Sequence, residues 1–242
     1  MNSKNVILRV IGVIHKGIFI LSIPILCISM AIGWEITTPQ VYTYGFDKYE
    51  VSKATDLSRN ELAEIADDFA GYFKSSAEDI DITIMVDGAP APLFTAEETI
   101  HFRDVKGLVH LNRNLMLAAL GYILLSVVWL WRKDLGQAGM LFMTGAGFTL
   151  ALLLVLVLVG IVNFDRLFLL FHTTSFRNDF WSAPGYMLQL FPMGFWYDMA
   201  LMTVLVSSML ALAFGGLGFG LMKFALKRGA SHSLHLDTAN RR

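Results

Sequence analysis

Four stretches of the chain are apolar at almost every position: about 17–34, 113–131, 138–163 and 198–222. Each is long enough to cross a bilayer core of ~30 Å as a helix. The stretches between them differ in kind. Residues 35–110 are hydrophilic and carry shorter periodic segments, while 164–197 mix aromatic, proline, glycine and titratable residues. The pattern predicts an all-α polytopic membrane protein, a single membrane domain over 1–242 with four transmembrane helices. Residues 35–110 form a small mixed α/β extracytoplasmic cap in this reading, and 164–197 an outer interfacial segment. Ser29-Met-Ala31 resembles a signal-peptide cleavage site, but the membrane-embedded remainder favours an uncleaved anchor.

Within the cap, Ser58-Arg-Asn-Glu61 reads as a capping box that opens a helix to about Lys74. Leu62, Ile65, Phe69 and Phe73 recur at helical spacing and form its packing stripe. Asp81 to Val86 alternates like a short strand and ends in the turn signal Asp87-Gly88. Val41 to Tyr44 is the candidate partner strand. Thr95-Ala-Glu-Glu98 is a second capping box, opening a helix that carries His101 to Leu108 and runs into the next span. On that helix His101, Asp104, Val105 and Leu108 share a face, so the Asp104 carboxylate is placed to orient the His101 imidazole or hold it protonated. Gly216 and Gly220 have the GxxxG spacing of close helix packing. Pro184, Pro192 and the aromatic residues around them predict an irregular or re-entrant path over 182–197.

Composition narrows the class further. A chain of 242 residues that is 55% hydrophobic and 16% charged is too apolar for a soluble domain of this size. A formal net charge of -1 gives no reason to expect nucleic acid. The single cysteine, Cys27, excludes an intrachain disulfide. Charge placement also sets an orientation. Residues 35–110 hold six Lys/Arg against fifteen Asp/Glu. Lys4, Arg9 and Lys16, the Arg132-Lys133 link and the tail with His232 and His235 are basic and polar. The positive-inside rule puts both termini on the cytoplasmic side and 35–110 and 164–197 outside. His101 and His172 then share a depth near the outer boundary, which predicts one cavity for both.

The chemistry on offer centres on Asn163 to Trp181, where Asp165, His172, Asn178 and Asp179 sit among aromatic rings. One reading is an interfacial belt with rings at headgroup depth. The other is a site that works on something lying in the membrane surface. A zinc site from His101, Asp104, His110 and His172 lacks the tight ligand spacings such sites use, and no metal or other cofactor is expected. A transporter would need ionisable groups inside its spans, and these spans have none. No G-x-S-x-G elbow is present, which counts against a serine hydrolase. Two histidines with carboxylate neighbours instead supply a base and an acid near neutral pH. The rival class is a non-enzymatic receptor or assembly factor that binds a partner through the acidic cap.

Leu93 to Leu108, LFTAEETIHFRDVKGL, resembles the LFT-x-x-E-x-x-H-x-x-DV signature of the lipoprotein intramolecular transacylase (Lit) family of bacterial four-span membrane proteins. Phe164 to Trp181 resembles the same family's FD-x-x-F-x-x-FH-x-x-x-F-x-N-x-x-W signature. The resemblance implies a membrane-embedded acyltransferase of the bacterial cytoplasmic membrane. Its substrates would be diacylglyceryl-modified lipoproteins, which it converts to the lyso form by moving an acyl chain from the glyceryl group to the amine of the amino-terminal cysteine. It implies His101 and His172 as the catalytic pair, with Asp104, Asp165, Asn178 and Arg103 in supporting roles. Phe171, Phe176 and Trp181 would line the acyl chains, with membrane lipid around them. After Trp181 the sequence departs from the family pattern, reading Ser-Ala-Pro184-Gly-Tyr-Met-Leu-Gln-Leu-Phe-Pro192.

Overall fold

The computed structural model describes residues 3–86 and 88–240, with side chains described from Val6 to Arg228 apart from Asp87. Lys4, the turn residue Asp87 and the tail histidines His232 and His235 lie outside the described side chains. The elements in order are α1 (Ser3–Ile36), α2 (Pro39–Lys48), α3 (Val51–Thr55), α4 (Arg59–Lys74), β1 (Thr83–Val86), β2 (Ala89–Pro92), α5 (Ala96–Lys133), α6 (Leu135–Ser175), α7 (Tyr186–Leu190) and α8 (Met193–Asn240), with a 3-10 turn at Phe180–Ser182 between α6 and α7. Four helices are long and apolar enough to cross a membrane, over Val6–Ile36, Ala96–Lys133, Leu135–Ser175 and Met193–Arg228. Outward residues on them include Leu125 and Val162, 73% and 84% exposed, as expected of helices solvated by lipid rather than water. The chain is an all-α, multi-pass membrane protein with one small sheet.

It divides into two compact units, 1–30 with 115–155 and 204–242, and 31–114 with 156–203. In the first, Phe19, Ile23 and Leu26 of α1 pack with Ala119 and Ile123 of α5, Phe142 of α6 and Ala211 of α8. The Phe19 and Phe142 rings meet edge-on at 5.1 Å. Close approach of α6 and α8 here runs through Gly139 and Gly218, where an added Cβ would lie 2.5 and 2.6 Å from the other's backbone oxygen. The GxxxG pair Gly216 and Gly220 plays no such part, because both face open space. The repeat was legible, but not which face of the helix was in contact.

In the second unit Ser58 caps α4 and Glu61 reaches back to the Ser58 N–H, a full capping box. Leu62, Ile65, Phe69 and Phe73 then face one core with Tyr42, Phe102 and Phe191. β1 pairs antiparallel with β2, Thr83 opposite Pro92 and Val86 opposite Ala89, and Gly88 turns the hairpin at φ 80°. The expected pairing with Val41 to Tyr44 is incorrect. Those residues lie in α2, where Pro39 starts the helix with its pre-set φ, and Val41, Tyr42, Gly45 and Phe46 form one buried stripe at helical spacing.

Candidate active site

The site is built from two capped helix segments. Thr95 and Glu98 close the second capping box, Thr95 N–H to Glu98 Oε2 at 2.8 Å and Glu98 N–H to Thr95 Oγ1 at 3.3 Å. This fixes the first turn of α5, on which His101 follows one turn later. The apolar run through α6 is broken at Asn163, which has φ -164° and ψ 86°. The Asn163 side chain accepts from the Arg166 N–H at 2.9 Å and so caps a fresh helical segment. Phe164, Phe168 and His172 recur every four residues along it and pack as tilted neighbours, with ring separations of 6.4 and 4.0 Å.

His101 and His172 come together across 71 positions of sequence, with ring centroids 6.2 Å apart. Both are buried. Phe176 touches both imidazoles, at 4.8 Å from His101 and 5.6 Å from His172. Trp181 stands 5.0 Å and Phe171 5.2 Å from His172. The His172 Nδ1 lies 2.8 Å from the Phe168 carbonyl. A carbonyl only accepts, so Nδ1 carries a hydrogen, and in the neutral ring the lone pair is on Nε2. His101 Nδ1 is buried with no hydrogen-bond partner among the described residues. A polar atom left so costs ~1–3 kcal/mol, and here it sits beside a cavity.

That cavity has a volume of about 250 Å³ and is lined by His101 and Val105 of α5, Phe168 and His172 of α6, Trp181, and residues such as Met187 and Phe191 from the stretch before α8. Its walls are largely aromatic and aliphatic. The stretch that supplies one wall is only partly irregular: a 3-10 turn and a bend lead into the short α7, and residues 193–197, expected to be irregular, are already the first turn of α8.

The supporting residues divide. Asn178 Nδ2 donates to Asp104 Oδ2 at 3.0 Å, and Asn178 Oδ1 accepts from the Phe180 N–H at 3.2 Å. Asp104 is therefore spent on the loop that carries Trp181, and no hydrogen bond joins it to His101. Arg103 is turned away from the cavity: its Nε and Nη2 donate to Asp79 Oδ1 at 2.9 and 2.6 Å, and Glu78 lies 3.4 Å from Nη1. Asp165 is exposed and is absent from the cavity wall. Phe171 is 51% exposed and touches His172 from outside the cavity. Among the described residues no three His, Cys, Asp or Glu side chains converge as a metal site would require. Two partners were missed by sequence reasoning. Phe168, four residues before His172, was visible as a helical neighbour. The bond from Glu98 to the Met187 N–H, at 2.7 Å across 89 positions, had no local signal.

The model of the family described as Lipoprotein intramolecular transacylase Lit matches residues 17–196. A comparison with curated protein sequences finds no match. Among solved structures the chain is similar to the membrane integral lipoprotein intramolecular transacylase Lit from Bacillus cereus, with a TM-score of 0.73 and 20% identity over 90% of this chain and 97% of that one. Forms of the same enzyme with one histidine replaced by arginine or by alanine align with TM-scores of 0.74 and 0.72. Their identities are 20% and 18%, over 94% and 95% of this chain and 98% and 100% of theirs.

Proposed function

The chain belongs to the lipoprotein intramolecular transacylase family, and from that premise we propose that it carries out this transfer with His101 and His172 as the acid–base pair. The reaction moves an acyl chain from the glyceryl group of a bacterial lipoprotein to the amine of the same amino-terminal cysteine. The observation that carries the reading is the buried pair of imidazoles, 6.2 Å apart, at the wall of an apolar cavity.

Donor and acceptor sit on one residue of the substrate, so no second substrate has to be bound. Well-aligned intramolecular reactions reach effective molarities of ~10⁵ M or more, and fixing geometry is therefore most of the task. A cavity of about 250 Å³ is smaller than the ~300–1,000 Å³ of sites that enclose a whole drug-sized ligand. It takes the reacting ester and the first part of one chain, and the remaining acyl length stays in lipid. His172 Nε2 takes the proton from the attacking amine. A carbon–nitrogen bond forms, a carbon–oxygen bond breaks, and His101 gives a proton to the departing glyceryl oxygen while taking up the one on His172, so that both rings end as they began. The developing oxyanion is met by an imidazole N–H. Asp104 and Asn178 hold the loop that carries Trp181, and Arg103 braces the cap.

Both termini face the cytoplasm in this proposal, and the histidines face outward, following the Lys/Arg placement. Alkaline phosphatase fused after Lys106 should be active and after Lys133 inactive. The reverse pattern would move the site to the wrong side of the membrane for a lipoprotein. The function itself is tested by expressing the chain in a host that makes diacylated lipoproteins. Mass spectrometry should show lipopeptides of unchanged total mass with one chain amide-linked to the cysteine. Loss of a chain would mean hydrolysis, and unchanged lipopeptides in the presence of well-folded protein would remove the transacylase reading.

A further inference from the structure

Glu98 is fully buried, yet the proton transfers above give it no part. A capping box occupies only one of its oxygens, Oε2, on the Thr95 N–H. Oε1 accepts from the Met187 N–H at 2.7 Å. Met187 belongs to α7 and lines the cavity. His101 lies three residues after Glu98, on the same face of α5. Gly185, which precedes α7, packs directly on the carboxylate, and a Cβ at that position would land on both oxygens. One side chain therefore fastens the turn that leads to His101 to the wall facing it. Bonds from backbone N–H groups to a carboxylate are among the stronger hydrogen bonds, and a dry site strengthens them further.

We infer that Glu98 is a positioning residue, which sets His101 against the α7 wall of the cavity and requires glycine at 185. This rests on reading His101 as half of the catalytic pair. An amide at this position keeps only one of the two acceptors, because its nitrogen faces an N–H. The fastening then loosens while the capping contact can survive.

The test uses the full chain, purified in micelles, with histidine labelled with ¹⁵N. In Glu98→Gln the His101 ring resonances should shift and those of His15 should stay. Against a diacylated lipopeptide, kcat should fall about tenfold to a hundredfold, the scale of a displacement near 1 Å, with KM within about twofold. Gly185→Ala should give the same split, and the double variant should be no worse than the weaker single one, as residues in one contact are not additive. Unmoved His101 resonances would overturn the proposal. So would a loss of turnover that follows the loss of folded protein. If His101→Ala keeps full activity, the catalytic reading fails, and the resonance shift still decides whether Glu98 positions that ring.

Discussion

The two units satisfy most of their polar groups at different ranges along the chain. In the unit of 1–30, 115–155 and 204–242, the hydroxyls of Ser22, Ser126 and Thr149 each donate to the carbonyl four residues back in their own helix, at 2.7–2.8 Å. Such bonds need nothing from the rest of the fold; the longer reaches here are Ser207 to the Cys27 carbonyl at 3.4 Å and the His15–Tyr122 pair at 2.8 Å. In the unit of 31–114 and 156–203, Thr55 also bonds back to Val51, but several buried or half-buried polar groups reach far along the chain. Asp104 holds Asn178, 74 positions on, and Glu98 holds the Met187 N–H. The Glu35 Oε2 accepts from Thr203, 168 positions on, at 2.7 Å. Long-range polar bonds form only when the fold is correct, so they keep a geometry. Short-range ones satisfy a hydroxyl and leave the rest to apolar packing. In the second unit the long-range bonds of Asp104 and Glu98 surround the site.

That contrast predicts which changes touch turnover and which touch stability. The largest effect should come from His101→Ala and His172→Ala. Each should cut the transfer rate at least ~10²-fold, the scale of a lost general acid or base, with little change in thermal unfolding in micelles. A matching fall in the unfolding midpoint would make the rings structural. Gly139→Ala lies in the other unit and should do the reverse. Overpacking against the Gly218 backbone should cost ~1–3 kcal/mol, partly offset by up to ~1 kcal/mol of better helix propensity. It should lower the unfolding midpoint while each folded molecule turns over normally. Gly216→Ala, with open space around it, should be neutral or stabilising by up to ~1 kcal/mol. Equal behaviour of the two glycine variants would contradict the assignment of the contact.

Smaller effects sharpen the second unit. Asp104→Asn retains one oxygen to accept from Asn178, so it should lose only a few-fold in rate, well short of the histidine variants. Arg103→Gln breaks a half-exposed pair with Asp79, worth ~0–1 kcal/mol, and should leave turnover within about twofold. A rate loss in Arg103→Gln as large as in His101→Ala would return the guanidinium to the site.

Much of this was legible in the sequence where the signal is local. The four spans follow from uninterrupted apolar runs, and both capping boxes follow from the residue types at their four positions. The Leu62-Ile65-Phe69-Phe73 stripe follows from period alone. Where two periods compete the reading failed, as at Val41 to Tyr44, whose short alternation also fits a helix that Pro39 can start. The break at Asn163 was hidden because hydropathy does not register a change of φ. Arg103 shares the motif of His101 but not its face, so its position in sequence overstated its place in the site. The reach of Glu98 to Met187 is a tertiary bond, which no spacing encodes.

The central claim is that the two imidazoles act as one unit, and the double variant tests it most directly. Initial rates of lipopeptide isomerisation would be measured for His101→Ala, His172→Ala and both together, at equal amounts of folded enzyme. If the rings share one proton-transfer step, the double variant falls no further than the more damaged single one. If the two losses multiply, the rings act independently and the paired mechanism is wrong.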